Sequence, residues 1–275
     1  MSNIISKVQD MRYLDWAARK ISPGTPGCFL KAYEEIDGKR LYYKLSNYDS
    51  YRGIFGHECV NEIIVSRVMD VLGIPHVTYD LIHAKIVIDG KEQETWISVS
   101  ENFRKESEEK LAYDLFYDLQ KEKNESPLEF AIRNNWELYM YQMFLIDYLI
   151  ANRDRHGSNL EVLRNEEDDG IRMAPLFDQG VSLLFSTYGD EKAIESFDVM
   201  KDFIVNNYVG SRSLEYNLSL IPHEFDLKIA LLKREHWDYI FQDVEKVLSE
   251  KHIDKIWEMI WKRWCFFNEI RNKKE

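Results

Sequence analysis

The chain has 275 residues, 45% of them apolar and 13% aromatic, with a formal net charge of −12. This length suits one large domain or two lobes around a shared cleft, and the apolar content suffices to bury a core. The acidic balance excludes a surface built to coat nucleic acid or anionic membrane, no apolar run reaches the length of a membrane span, and three scattered cysteines (Cys28, Cys59, Cys265) fit a reducing cytoplasm.

In chain order, the first seven residues lack the apolar core of a signal peptide. Ser22-Pro23-Gly24-Thr25-Pro26-Gly27 is a turn-forming stretch. Residues 28–33 and 40–45 flank Asp37-Gly38 and predict a hairpin. Residues 57–72 predict a helix, because Val60, Ile63, Ile64, Val68, Val71 and Leu72 recur at helical spacing and Gly73 follows as a stop. Strand-like segments come next at 76–82, 85–88 and 95–99, the last two separated by Asp89-Gly90. Strands, one helix and further strands make a small antiparallel α+β lobe.

A charged stretch (104–110) and a polar run (121–125) precede a single long helix. Ser126 suits its N-cap, Pro127 its first position and Glu129 its capping box. The helix runs through Trp136, Met140, Met143 and Phe144 to Leu149. Near its end it is apolar on most sides, so it is expected to be buried, and it delivers the chain to Asp154. Residues 160–163 and 171–174 predict a second hairpin, with Asn159 at its entry and Asp178 at its exit. Pairing of the two strands is expected to bring those residues within reach of one metal ion. The remainder reads as helical. It ends in an amphipathic helix marked by Ile253, Ile256, Trp257, Ile260, Trp261 and Trp264, whose tryptophans read as core.

Asp154, Asn159 five residues on, and the later Phe177-Asp178-Gln179-Gly180 form an ordered set. Phosphoryl transfer needs an aligned hydroxyl, magnesium bridging the phosphates, and positive charge where negative charge develops. Here Asp154 would orient and deprotonate the acceptor hydroxyl. Asn159 and Asp178 would offer the oxygen ligands that magnesium prefers. Lys44, near the end of an early strand, would reach the α- and β-phosphates of ATP. Glu58 or Glu62, one helical turn apart, would hold that lysine. Each residue alone has an ordinary alternative. Asp and Asn favour turns, strand lysines are mostly solvated, helix glutamates are mostly on the surface, and His156 suits a structural hydrogen bond. The order of the set, with the right elements between its members, is what points to phosphotransfer.

Ile150-Ala151-Asn152-Arg153-Asp154-Arg155-His156 through Asn159, together with Ala174-Pro175-Leu176-Phe177-Asp178, resembles the catalytic core of HipA-like serine/threonine kinases. Asn61-Glu62 ahead of Leu72-Gly73-Ile74 is similar to that family's small-lobe helix, which favours Glu62 over Glu58. The resemblance implies a two-lobed, protein-kinase-like α+β fold, with a small β-rich lobe over 1–103 and a mostly helical lobe over 104–275. It implies a phosphate-facing loop at Gly24, Thr25 and Gly27. A hinge at Ser98, Val99, Ser100, Glu101, Asn102 and Phe103 would meet adenine through its backbone. A substrate-facing segment would lie at Asn206-Asn207-Tyr208 and Gly210-Ser211-Arg212. ATP and Mg2+ are the implied cofactors and a protein serine or threonine the implied acceptor. Autophosphorylation would have Ser22 and Thr25 as its candidates.

The chain departs from eukaryotic-type kinases in lacking G-x-G-x-x-G and A-P-E elements and in carrying Gln179 after Asp178. It is expected to be a bacterial, cytoplasmic, stand-alone short form without the N-terminal subdomain of full-length HipA toxins. Pairing with a DNA-binding antitoxin is then unsupported, and neither direct nucleic-acid binding nor membrane binding is expected. Three rivals stand beside this reading. One is a small-molecule phosphotransferase of the aminoglycoside- or choline-kinase type. Another is a non-catalytic kinase-shaped interaction module. The third is a metal hydrolase using Asp154, His156 and Asp178.

Overall fold

Two tight hairpins organise the first part of the chain. The computed structural model describes residues 2–16 and 29–272. Strands β1 (Ile4–Asp10), β2 (Lys31–Ile36) and β3 (Lys39–Leu45) are followed by a two-stranded ribbon, β4 (Tyr48–Asp49) with β5 (Gly53–Ile54). Helix α1 (Glu58–Leu72) leads to β6 (Asp80–Ile88) and β7 (Lys91–Glu101). The β2–β3 turn has Asp37 and Gly38 at φ 51° and 77°, and the β6–β7 turn has Asp89 and Gly90 at 51° and 74°. Positive φ at both central residues matches the twist of the flanking strands, which is why Asp-Gly closes such short loops.

The sheet order is β1-β6-β7-β3-β2, antiparallel except for β1, which lies parallel to β6. Pairing from Ile88↔Lys91 to Asp80↔Val99 is unbroken. The segments expected separately at 76–82 and 85–88 are therefore one strand, and the strand expected from 95 begins at Lys91. Lys85, Glu92 and Glu94 sit on the wetter side and break the apolar pattern without breaking the ladder. β1 has no sequence signature because it is an edge strand with Ile4 as its one buried residue.

The two faces of the sheet are both covered. Tyr43, Leu45, Ile82, Ala84, Ile86, Ile88 and Ile97 pack into one core with Met11, Leu14 and Leu30. Leu81 and α1 belong to a second, larger core that continues into the helical part of the chain. Every residue of α1 from Glu58 to Met69 is buried, since the helix has the sheet on one side and that helical part on the other.

The second part opens with β8 (Glu108–Ala112), hidden within the charged stretch, and α2 (Tyr113–Gln120). The long helix expected from 126 is two helices, α3 (Pro127–Arg133) and α4 (Glu137–Ile150). The Ser126–Glu129 capping box is present. The break comes at Asn135, which takes φ 60°; asparagine enters the left-handed region at small cost and turns the chain before α4 starts. All of α4 from Met140 to Ile150 is buried.

Then come β9 (Asp154–Arg155), β10 (Glu161–Asn165) and β11 (Ile171–Met173). β10 and β11 form the hairpin, and β8 pairs with the other edge of β10. The remainder is less helical than expected. Short elements, α5 (Glu191–Glu195), β12 (Asn206–Asn207), α6 (Leu214–Ser219) and α7 (Trp237–Ile240), are joined by irregular chain before the long α8 (Glu250–Asn272). Trp264 of α8 is buried in the larger core, with Trp257 and Trp261 packed against that core. Among the described residues, no helix is long and apolar enough to cross a membrane.

Candidate active site

Three separate elements converge on Lys44. It closes β3, and its Nζ donates to Glu62 Oε1 of α1 at 2.8 Å and to Asp178 Oδ1, in the loop after β11, at 2.5 Å. The Phe29 ring covers the ammonium at 4.7 Å. Glu62 is wholly buried, and its Oε2 accepts the Gln179 N–H at 3.1 Å. Glu58 faces elsewhere and accepts the Asn47 N–H at 3.2 Å. Lys44 therefore pairs with Glu62 and not with Glu58. Burial works against the charge on Lys44, yet Asp178 and Glu62 together hold its pKa well above the ordinary lysine value. Burial would also raise the Asp178 carboxyl, but the Lys44 charge outweighs it and the group stays below the usual carboxylate range.

Asp178 sits at φ 60°, a conformation that needs support from its surroundings. The support comes from Tyr79, which sequence reasoning missed, and from Asn61, which it named only as the neighbour of Glu62. The Asp178 N–H donates to the Tyr79 hydroxyl at 3.3 Å. Asn61, one residue before Glu62, donates to the carbonyls of Gly180 and Ser182, each at 2.9 Å. Gly180 lies so close to α1 that a Cβ there would stand 3.0 Å from Glu58 Cβ. The loop carrying Asp178 is thus pinned along the same helix that carries Glu62.

Arg155 was also missed, and it is the hub of the next layer. Its wholly buried guanidinium grips Asp147 of α4 through Nε (3.1 Å) and Nη2 (2.8 Å). Nη2 also donates to Gln179 Oε1 at 2.5 Å. Nη1 donates to the carbonyls of Phe177 (3.1 Å) and Asn159 (3.4 Å). A buried ion pair is tolerable when its remaining protons are satisfied this way. The signal was available: Asp147 is the lone acid in the apolar end of α4 and required a buried cation.

Asp154 follows directly. α4 ends at Ala151 with φ 50°, and Asn152 donates to Asp147 Oδ1 at 2.8 Å while accepting the Asp154 N–H at 3.2 Å. The Asp154 carbonyl accepts from Asn159 Nδ2 at 2.9 Å. Its carboxylate, with the side chain 35% exposed, accepts from Asn206 Nδ2 at 3.0 Å and stands 3.7 Å from His156 Nε2. His156 Nδ1 and the Ser158 hydroxyl are 2.7 Å apart.

Arg155 Nη1 links the carbonyl just ahead of Asp178 to that of Asn159. With the Asn159 amide nitrogen bonded to the Asp154 carbonyl, its Oδ1 is the atom of that side chain that could serve a cation. One amide oxygen and one carboxylate make a donor pair that suits a hard divalent ion such as Mg2+ completed by phosphate and water. Among the described residues, no three or more His, Cys, Asp or Glu side chains form a metal cluster of their own.

Of the six residues expected to form a hinge, Ser98 to Glu101 end β7, and Asn102 and Phe103 follow it. Ser98, Val99, Ser100 and Glu101 pair with Lys44, Tyr43, Tyr42 and Leu41 of β3. The Asn102 N–H donates to the Arg40 carbonyl at 2.9 Å. By the two-residue period of a strand, the Glu101 main chain then turns to the opposite edge. The β6 ladder stops at Asp80↔Val99, so that edge is open at Glu101. Phe103 stacks on Phe177 with centroids 5.7 Å apart. Gly24, Thr25 and Gly27, with Ser22, lie outside the described residues.

No protein-family model matches the sequence, and no curated protein matches it. Solved structures do. The Helicobacter pylori proinflammatory kinase CtkA aligns with a TM-score of 0.64 and 16% identity, over 98% of this chain and 100% of that one. HipA of Shewanella oneidensis MR-1, solved with HipB and operator DNA, aligns with a TM-score of 0.40 and 13% identity, over 94% of this chain and 62% of that one. The second likeness is too slight to argue from. The first shows the fold: two-lobed, protein-kinase-like and α+β, with a small β-rich lobe and a mostly helical one.

Proposed function

We propose that this chain is an ATP- and Mg2+-dependent kinase that phosphorylates serine or threonine of a protein. The observation that carries the reading is Lys44 bridging Glu62 and Asp178 while Arg155 ties Asp178's loop to the Asp154–Asn159 loop. We place the small lobe at residues 1–103 and the helical lobe at 104–275.

Lys44 presents its charge to the α- and β-phosphates, and the buried Glu62 keeps the ammonium from swinging away. Asp178 and Asn159 would hold the metal, which when bound neutralises charge on the phosphates. The open Glu101 edge offers main-chain groups to adenine beside the Phe103–Phe177 stack. Asp154 orients the acceptor hydroxyl and takes its proton. The acceptor oxygen bonds to the γ-phosphorus, the bond from that phosphorus to the β–γ bridging oxygen breaks, and ADP leaves. Ser22 and Thr25 are the candidates for autophosphorylation.

The test is Asp154→Ala with Mg2+ and γ-labelled ATP. Label transfer, including autophosphorylation, is expected to fall by about a hundredfold or more, the range lost with a general base. Undiminished transfer by this variant sinks the assignment.

A further inference from the structure

We propose that Asn206 is the positioning residue for Asp154, and that Oδ2 of Asp154 is the atom that takes the acceptor's proton. The inference rests on the phosphotransfer reading and assigns an atom and a partner within it.

Three of the four polar atoms of Asp154 are already held. Its N–H donates to Asn152 Oδ1 (3.2 Å), its carbonyl accepts from Asn159 Nδ2 (2.9 Å), and its Oδ1 accepts from Asn206 Nδ2 (3.0 Å). Among the described residues no hydrogen bond is made to Oδ2; its polar neighbour is His156 Nε2 at 3.7 Å. A carboxylate oxygen that accepts a hydrogen bond is the less basic of the two. The Asn206 bond therefore does two things: it fixes the rotation of the carboxylate, and it leaves Oδ2 as the oxygen with a lone pair to use. A general base needs both, because it works only when a free oxygen lies in line with the hydroxyl.

Asn206 is placed for this by its main chain. β12 lies parallel to β9, with Asn206 opposite Asp154 and Asn207 opposite Arg155. The Asn206 N–H donates to the Arg153 carbonyl at 2.9 Å, and the Tyr208 N–H to the Arg155 carbonyl at 3.0 Å. Asn207 anchors the far side, with Oδ1 accepting the N–H groups of Val209 (3.1 Å) and Gly210 (2.8 Å). The backbone that presents Asn206 is held by its neighbours, while the Asn206 side chain is exposed and its bond in the fold is the one to Asp154. A residue of that kind can be changed with little effect on folding.

The experiment compares wild type, Asn206→Asp and Asn206→Ala by autophosphorylation and by ATP hydrolysis, with γ-labelled ATP and Mg2+, and by thermal unfolding. Asn206→Asp keeps the shape, removes the donor and sets a second carboxylate beside Asp154, while Asn206→Ala removes the donor without adding charge. Both variants are expected to lose about ten- to a hundredfold in maximal rate, the loss that goes with one hydrogen bond to a charged group. The half-saturating ATP concentration should stay within about twofold and the unfolding temperature should be unchanged. Asn206→Gln, which keeps the amide donor, should retain more rate than Asn206→Ala. Wild-type rate in Asn206→Asp overturns the proposal. So does a loss that appears as weakened ATP saturation or as a lowered unfolding temperature. Absence of transfer by the wild type overturns the kinase reading itself, and this proposal with it.

Discussion

Lys44 concentrates most of the site's electrostatics in one side chain. Breaking a buried ion pair strands its partners, which costs about 3 kcal/mol or more. Lys44→Met leaves Glu62 and Asp178 facing each other without a cation and should lose that much stability along with label transfer. The pH dependence has a definite sign. The depressed Asp178 contributes stability above the ordinary 3.8 and loses it as pH falls through its lower folded value. The raised Lys44 contributes below the ordinary 10.5 and loses it as pH rises through its higher folded value. In Lys44→Met the two facing carboxylates lose their cation and bind protons more readily, so the gap in urea midpoint between wild type and variant should be widest near neutral pH and above and should narrow as pH falls toward about 5. A gap that stays constant from about pH 8 to 5 means the three charges are not coupled as drawn. At this scale the sequence was informative about residues with a chemical job, Lys44, Glu62, Asp154, Asn159 and Asp178. It said less about those that hold them: Asn61 and Asn206 were named only within segments that resemble the family, and Tyr79 not at all. Each acts through one or two hydrogen bonds between distant segments, and no local pattern marks such a bond.

At the scale of elements, the ends of two helices carry a liability in acid. His57, just before α1, and His252, in the first turn of α8, meet edge to face with centroids 4.6 Å apart, and the Tyr188 ring lies 5.9 Å from His57. Among the described residues, neither nitrogen of His57 nor Nε2 of His252 has a hydrogen-bond partner. Burial, together with the His252 charge, pushes His57 down to about 3, and burial pushes His252 down to about 4, from an ordinary 6.5. Both rings are neutral in the folded protein near pH 5, whereas the unfolded chain takes up protons there. Stability must then rise with pH across the window from about 4 to 6.5. Lowering pH from 7 to 5 should cost on the order of 3 kcal/mol from this pair. Replacing both rings with Phe should shrink that loss in urea titrations at the two pH values; an equal loss in the variant rules the pair out as its source. Elements also show where sequence pattern fails. The capping box of α3 was legible because it is local, and the end of α3 was not, because Asn135 alone turns the chain. β8 was invisible because it opens on three charged residues and its burial does not alternate, and β12 because two residues make no pattern.

Over the whole molecule, the likeness to a kinase over nearly the full chain length explains why motif order was more telling than composition. At 16% identity the likeness is one of fold, which different residues of suitable size can fill. The irregular chain between α5 and α8 was expected to be helical, and it holds many apolar residues. In the structure they serve as scattered plugs such as Leu227, Leu232 and Val244 in the larger core.

The Lys44–Asp178 contact has one more consequence. It spans the sheet and the helical part, so the lysine's charge is shared with a carboxylate of the loop after β11. If the proposed function holds, a phosphate arriving at Lys44 would exchange with that carboxylate, and the freed carboxylate would then be available to a metal ion. Nucleotide and metal would be linked partners in the exchange, each making room for the other. Asp178→Asn removes the competitor and should bind metal-free ATP at least as tightly as wild type by calorimetry, while losing transfer. Weaker metal-free binding by Asp178→Asn shows that no such exchange takes place. On the proposed function, Lys44 and Asp178 are a self-quenched pair of charges that ATP and its metal would pull apart together.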